Sequence, residues 1–203
     1  MALSDNIWWT RKARIQAEKR LLSSAFQAQI LLLWYSFCSV AASIYYLKFN
    51  AQSEYAGVAW VVFSTLVLCI SGFINGLGYK ERAALVKDSY EALNGLYQRA
   101  KENSCSTTEY CSTTELANEY ESILSICENH TDIDYQLALC NTYLGHNNPD
   151  DSNNGLDRKP TKYIWALVIC YHIKRLILLS GLYILPIILF LLMEINNVSQ
   201  GKI

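Results

Sequence analysis

Residues 30–47, ILLLWYSFCSVAASIYYL, and residues 55–79, YAGVAWVVFSTLVLCISGFINGLGY, contain no charged side chain, and only KFNAQSE (48–54) separates them. A helix rises about 1.5 Å per residue, so about 20 apolar residues cross a hydrocarbon core about 30 Å thick. Both runs reach that length, and the stretch between them is long enough only for a turn. The pair predicts a transmembrane hairpin over residues 29–79, with spans at about 30–48 and 56–78. A third apolar run, Leu176–Met193, reads LILLSGLYILPIILFLLM. Pro186 is compatible with a span, because proline is more frequent in membrane helices than in soluble ones. The run before it, Tyr163–Ile173, is also apolar, but Lys174 and Arg175 divide the two. A charge at the bilayer centre is costly, so these two are expected at the interface. Residues 163–173 then form an interfacial helix or the start of one long tilted helix; both fit the sequence.

The rest of the composition agrees with this partition. The chain has 203 residues, of which 52% are hydrophobic and 17% charged, with a formal net charge of −1. The charge is concentrated outside the apolar runs. No basic stripe with interleaved aromatics is present, so direct nucleic-acid binding is not expected. Trp8, Trp9 and a basic run up to Arg20 precede the first apolar core, unlike a secretory signal peptide. Lys and Arg set orientation. Arg11, Lys12, Arg14, Lys19 and Arg20 precede the first span, Lys80, Arg82 and Lys87 follow the second, and Arg158, Lys159, Lys162, Lys174 and Arg175 precede the third. The turn and the tail offer Lys48 and Lys202. The N-terminus and residues 80–162 are therefore expected inside, and the C-terminal tail (195–203) outside. The seven cysteines show no CxxC and no metal-ligand spacing, and reduced thiols are the ordinary expectation in a reducing compartment.

Helical periodicity organises the charged parts. Tyr79, Ala83, Val86, Tyr90, Leu93, Tyr97 and Ala100 alternate in steps of 4 and 3, a heptad seam. Lys87 and Glu91 are neighbours on its exposed side. Continued backwards, the seam passes through Gly76, Gly72, Cys69 and Thr65, and Gly72-x-x-x-Gly76 fits close helix approach. One helix running from the second span through the seam is the expectation. The seam packs either inside the chain or against another copy. A second helix is expected from Ser112, where Ser112-Thr-Thr-Glu115 fits a capping box, with Leu116, Tyr120, Ile123 and Cys127 as its apolar face. A third is expected over Thr131–Leu144, stopped by Gly145. The polar stretch at 146–162, rich in Asn, Asp, Gly and Pro, then acts as a linker that lets the third span sit apart from the 80–145 module. In the arm (1–28), Trp9, Ala13, Ala17, Leu21 and Ala25 recur every four residues, with the basic residues elsewhere on the surface. This narrow alanine-rich stripe favours packing on the seam over lying at a membrane interface.

The arm Trp9-Thr-Arg-Lys-Ala-Arg-Ile-Gln-Ala-Glu-Lys-Arg, the tight hairpin, and Tyr79-Lys-Glu-Arg-Ala-Ala-Leu-Val-Lys-Asp-Ser-Tyr90-Glu-Ala-Leu-Asn-Gly-Leu96 together resemble the SLATT family of two-transmembrane effector domains. The resemblance covers about Trp8 to Leu144, and the extra span looks like the branch associated with reverse transcriptases. It implies a bacterial inner-membrane protein that stays idle until a partner senses infection. The partner would be a nucleotide-signal synthase or a reverse-transcriptase system. The effector would then oligomerise and open a pore.

The spans carry side chains suited to that role. Ser36, Ser39 and Ser43 share a face of the first span, and Ser64, Ser71 and Asn75 share a face of the second. Such stripes line water in an assembly or hydrogen-bond helices to each other. No acidic or basic residue lies within either span, so a charged selectivity ring is absent and a crude pore is favoured over a selective channel. The histidines His130, His146 and His172 are isolated, the first two solvated beside a helix, and no catalytic, phosphate-binding or metal motif is present. No catalytic residue, cofactor or metal is assigned. The expected protein is an all-α membrane protein with an N-terminal basic helix, a hairpin, a helical module and a C-terminal segment (163–194). The alternative to a pore-forming effector is a membrane-tethered scaffold or regulatory subunit.

Overall fold

The computed structural model describes residues 3–49, 54–103, 110–145 and 158–199. Among them the chain forms six helices: α1 (Leu3–Phe49), α2 (Glu54–Gly76), α3 (Tyr79–Asn103), α4 (Tyr110–Ser125), α5 (Asp132–Leu144) and α6 (Lys162–Ser199). Three segments are long and apolar enough to cross a membrane, within Leu3–Lys48, Val58–Glu102 and Lys162–Ile195. The centre of the hairpin turn, residues 104–109 with Cys105, linker residues 146–157 with His146, and the last four residues of the tail lie outside the described residues.

The chain divides into two compact units. The first holds residues 1–23 and 79–172, the charged part of the sequence. Its core has two patches. Ile7 of α1 meets Leu93, Leu96 and Ala100 of α3 and Leu116 and Ile123 of α4. Ala17 and Leu21 of α1 meet Ala83 and Val86 of α3, with Tyr79 and Cys127 alongside. The arm stripe thus packs on the seam. Trp9, Ala13, Ala17, Leu21 and Ala25 are buried. Of the seven seam residues, Ala83, Val86, Leu93 and Ala100 are buried and Tyr79, Tyr90 and Tyr97 partly so, all within one copy of the chain. Small arm residues explain why: alanine every four residues lets α1 approach the larger Val and Leu side chains of α3 closely. Lys87 and Glu91 pair on the outer face at 3.8 Å.

The second unit holds residues 24–78 and 173–203, the three apolar runs. Ala42 and Tyr46 of α1 and Trp60 of α2 are buried together, and Tyr45, Phe63, Phe190 and Met193 pack against them. Ring centroids of Trp60 lie 5.4 Å from Phe63 and 6.3 Å from Phe190, edge-on or tilted, as aromatic quadrupoles prefer.

Some expectations need correction. The second span and the seam helix are not one helix. α2 ends at Gly76, the amides of Leu77 and Gly78 bond the carbonyls of Ile74 and Asn75, and Gly78 adopts φ 56°. Only glycine takes that left-handed conformation without a Cβ penalty, so the break is encoded at Gly78. By contrast α1, expected as an arm plus a span, is unbroken from Leu3 to Phe49. The expected capping box at Ser112 also fails, because α4 begins at Tyr110 and places Ser112 inside the helix. A reciprocal cap does form at Thr131, before α5. Of the two forms left open for residues 163–173, α6 takes the single long helix, running from Lys162 through Lys174 and Arg175 to Ser199. α5 stops at Gly145 as expected, but in a right-handed conformation with φ −77°.

Replacing Gly78 with Ala should destabilise the junction by about 1 kcal/mol, since alanine must adopt a positive φ. Thermal unfolding of the purified protein followed by helical circular dichroism checks this. The midpoint should fall, while Gly95→Ala, in a helix with open space around its Cα, should not lower it.

Candidate functional site

Outside the apolar runs the chain is held by charges that the sequence places on a helix surface but the fold buries. Arg14 is 0% exposed, contrary to the expectation that the basic residues of the arm lie on the surface. Its Nη1 and Nη2 donate to the carbonyls of Ile123 (3.3 Å) and Leu124 (3.2 Å). These belong to the last turn of α4, where carbonyls lack helical partners and the helix dipole is negative. Ser89 of α3 donates to the same Ile123 carbonyl at 3.4 Å, and the hydroxyls of Thr10 and Tyr120 bond at 2.8 Å. Burial pushes the Arg14 guanidinium below its usual range. His130, expected to be solvated, is half-buried beside it; burial, then the charge of Arg14, hold its imidazole below the usual value.

One turn and a half further along α1, Arg20 forms a fork to Asp134 of α5: Nε to Oδ1 at 2.9 Å and Nη2 to Oδ2 at 3.1 Å. Asp134 is 0% exposed. Its Oδ2 also accepts from the backbone amide (3.0 Å) and the hydroxyl (2.7 Å) of Thr131. Burial acts to raise the carboxyl, but the Arg20 and Thr131 donors outweigh it and hold Asp134 below the ordinary carboxylate range. Two exposed pairs, Arg82 with Glu128 and Arg99 with Glu119, add a surface tie of α3 to α4 and the residues after it. The far end of the linker is also fixed. Arg158 lies over the rings of Trp9 (5.6 Å) and Tyr135 (5.9 Å) and donates to the Tyr135 hydroxyl at 2.6 Å.

In the membrane unit, the polar contacts converge on α6. Tyr35 donates through its hydroxyl to the carbonyl of Leu182 at 2.9 Å, and Trp34 donates through Nε1 to the carbonyl of Tyr183 at 3.0 Å. The Tyr183 hydroxyl donates to Gln27 Oε1 at 3.1 Å. At the end of the helix, the hydroxyls of Tyr45 (3.2 Å) and Tyr46 (3.4 Å) donate to Glu194. Sequence reasoning singled out none of these residues as functional. The aromatic pairs at 34–35 and 45–46 and the lone acid at the end of an apolar run were the available signals.

The hydroxyl-bearing residues lie elsewhere. At about 100° per residue, Ser36, Ser39 and Ser43 are rotated about 140–180° from Trp34, which faces α6. On α2, Ser64, Ser71 and Asn75 are rotated about 80–120° from Phe63, which packs on Tyr35. In both helices the rotation away from the α1–α2 contact has the same sense, and in an antiparallel pair that brings both stripes to one side of the hairpin. Ser36, Ser64 and Asn75 are exposed there, Ser43 and Ser71 half-buried, and Ser39 buried. Ser36, Ser43 and Ser64 donate to carbonyls of their own helices, at Leu32, Ser39 and Val61. They make no hydrogen bond to a neighbouring helix among the described contacts. Gly72 and Gly76 are exposed, with nothing within 4 Å of a Cβ at either position, so they mediate no helix contact among the described residues. Of the basic residues used to orient the chain, Lys12 lies over the Trp8 ring at 5.3 Å, Arg11 is half-buried, Lys19 and Lys174 are exposed, and Arg175 is partly buried.

Arg20→Ala should destabilise the protein by about 3–5 kcal/mol, because it leaves a buried carboxylate unpaired. Arg20→Lys should lose less, keeping the charge without the fork. The pH dependence follows from the depressed carboxyl. Its contribution is complete above the unfolded value of about 3.9 and is lost as pH falls through the lower folded value. Thermal melts of native chain and Arg20→Ala from pH 7 to pH 3 check this: the gap should close in acid.

One family model matches the chain. It describes the SMODS and SLOG-associating 2TM effector domain family 5, and it covers residues 1–193. No curated protein and no solved structure matches. The match takes in the arm, the hairpin, the helices between the spans and the third span up to Met193, so the chain belongs to family 5 of the SMODS and SLOG-associating 2TM effector domains.

Proposed function

We propose that this protein is a membrane effector of bacterial anti-phage defence. A partner that senses infection activates it, copies assemble through the hairpin, and the assembly permeabilises the inner membrane. The N-terminus and the charged unit face the cytosol, where the excess of Lys and Arg flanking the spans is retained. The partner is a SMODS- or SLOG-type signalling protein, as the family description suggests, or a reverse-transcriptase system. The reading rests most on one observation: the serines of both spans and Asn75 share one side of the hairpin, away from Trp34 and the α6 contact. Polar groups facing hydrocarbon are costly unless a partner or water satisfies them. Assembly with these sides together places hydroxyls and amides around a common axis. With no ion in the stripe, the pore discriminates by size alone.

Membrane tethering of a partner is the second reading. It is favoured by Ser36, Ser43 and Ser64, whose hydroxyls are already satisfied by their own helices and need no water.

Ser71→Leu combined with Asn75→Leu separates the two. The double variant should insert and express normally, yet dye entry into cells carrying the activating partner under phage challenge should drop to the level of cells lacking the protein. Native protection and dye entry in the double variant would exclude the pore and place the function in the charged unit.

A further inference from the structure

We propose that the third span is a fixed wall of the membrane unit, latched to the first span by carbonyls that Pro186 frees, and that it stays latched while the protein acts. Persistence of the latch during action rests on the effector reading above; the latch itself does not.

Proline has no amide hydrogen, so a proline at 186 removes the intrahelical partner of the carbonyl four residues earlier, at Leu182. The ring also crowds the preceding turn, which disturbs the neighbouring carbonyl at Tyr183. Tyr35 and Trp34 of α1 donate to these two carbonyls. A span-breaking residue is tolerated in a membrane when a neighbouring helix satisfies the freed backbone. Pro186 itself is buried. The Tyr183 side chain returns a bond to Gln27, so the contact is reciprocal. Further along both helices, Tyr45 and Tyr46 hold Glu194, and the Phe190 ring packs 5.3 Å from Tyr45. The contact therefore runs from Gln27 to Tyr46 on α1, much of the length of the span. Of these α1 residues, Gln27, Trp34 and Tyr45 are rotated about 120–180° from the Ser36–Ser43 stripe, while Tyr35 and Tyr46 lie between the two and reach α6 through their hydroxyls. A third span held there neither covers the hydroxyl side nor lines it, and nothing in its position must move for that side to meet water or another copy.

The test uses the full chain in membranes, with Cys38 kept, the other cysteines replaced by alanine, and Ile187→Cys added. Cys38 and Ile187 line the same crevice beside Pro186. A bifunctional thiol reagent reports how often α1 and α6 lie together. Tyr35→Phe should slow cross-linking by about fivefold, the worth of one ordinary hydrogen bond. In a Pro186→Ala background the restored amide satisfies Leu182, and Tyr35→Phe should then have no effect. Equal slowing in both backgrounds would overturn the latch.

Activity decides persistence. Cells are cross-linked before phage challenge and scored both for survival and for dye entry. Protection equal to that of unlinked cells supports a fixed wall, and loss of protection, restored by a reducing agent, overturns it. If unlinked native cells are protected without dye entry, the pore reading fails, and the survival comparison still decides whether the third span moves.

Discussion

A backbone carbonyl in hydrocarbon must find a donor, and Pro186 leaves one at Leu182 without its helical partner. Water cannot supply that donor, and an unsatisfied group there costs several kcal/mol. The donors come from Tyr35 and Trp34, which place the indole and phenol of the first span against the turn before the proline. Once these are placed, the phase of α1 is set. Gln27, Trp34 and Tyr45 look toward α6, Ala42 packs on Trp60, Tyr35 and Tyr46 touch both α2 and α6, and the serines are left on the remaining side. One proline thus accounts for the placing of Trp34 and Tyr35 against α6.

The charged unit obeys the same economy with stronger groups. The last carbonyls of α4 receive Arg14, and the start of α5 is closed by Asp134, which is itself held by Arg20. Both arginines come from α1. Buried ion pairs add little net stability over well-packed apolar residues, because desolvation offsets the attraction, but removing one partner is severely destabilising. Arg14 and Asp134 therefore act chiefly as register pins. They fix which turn of α1 faces α4 and α5, a choice that a stripe of alanines alone would leave loosely specified.

Most of the architecture was legible because it depends on length and period. Charge-free runs marked the spans, and steps of 4 and 3 marked the seam and the arm that covers it. The termini of α5 followed from Thr131 and Gly145. Other features escaped because they depend on partners distant in sequence. Arg14 and Arg20 look like ordinary basic flanking residues until α4 and α5 are in place more than 100 residues later. Tyr35 and Trp34 look like interfacial aromatics until Pro186 supplies acceptors. The break at Gly78 was obscured by a periodicity that continues across it: Gly72, Gly76, Tyr79 and Ala83 keep the seam's spacing, while a single left-handed residue ends one helix and starts the next. Ser112 offered a sound capping pattern that α4 does not use, since the helix begins two residues earlier.

The chain crosses between the two units at three places. The connection from α2 to α3 passes through Gly78, where the helix breaks. α1 has no such break: Arg14 and Arg20 sit on the same unbroken helix as Trp34, Tyr35 and the three serines. α6 is likewise unbroken from Lys162 to Ser199. The third span is tied to α1 through Trp34, Tyr35 and Gln27.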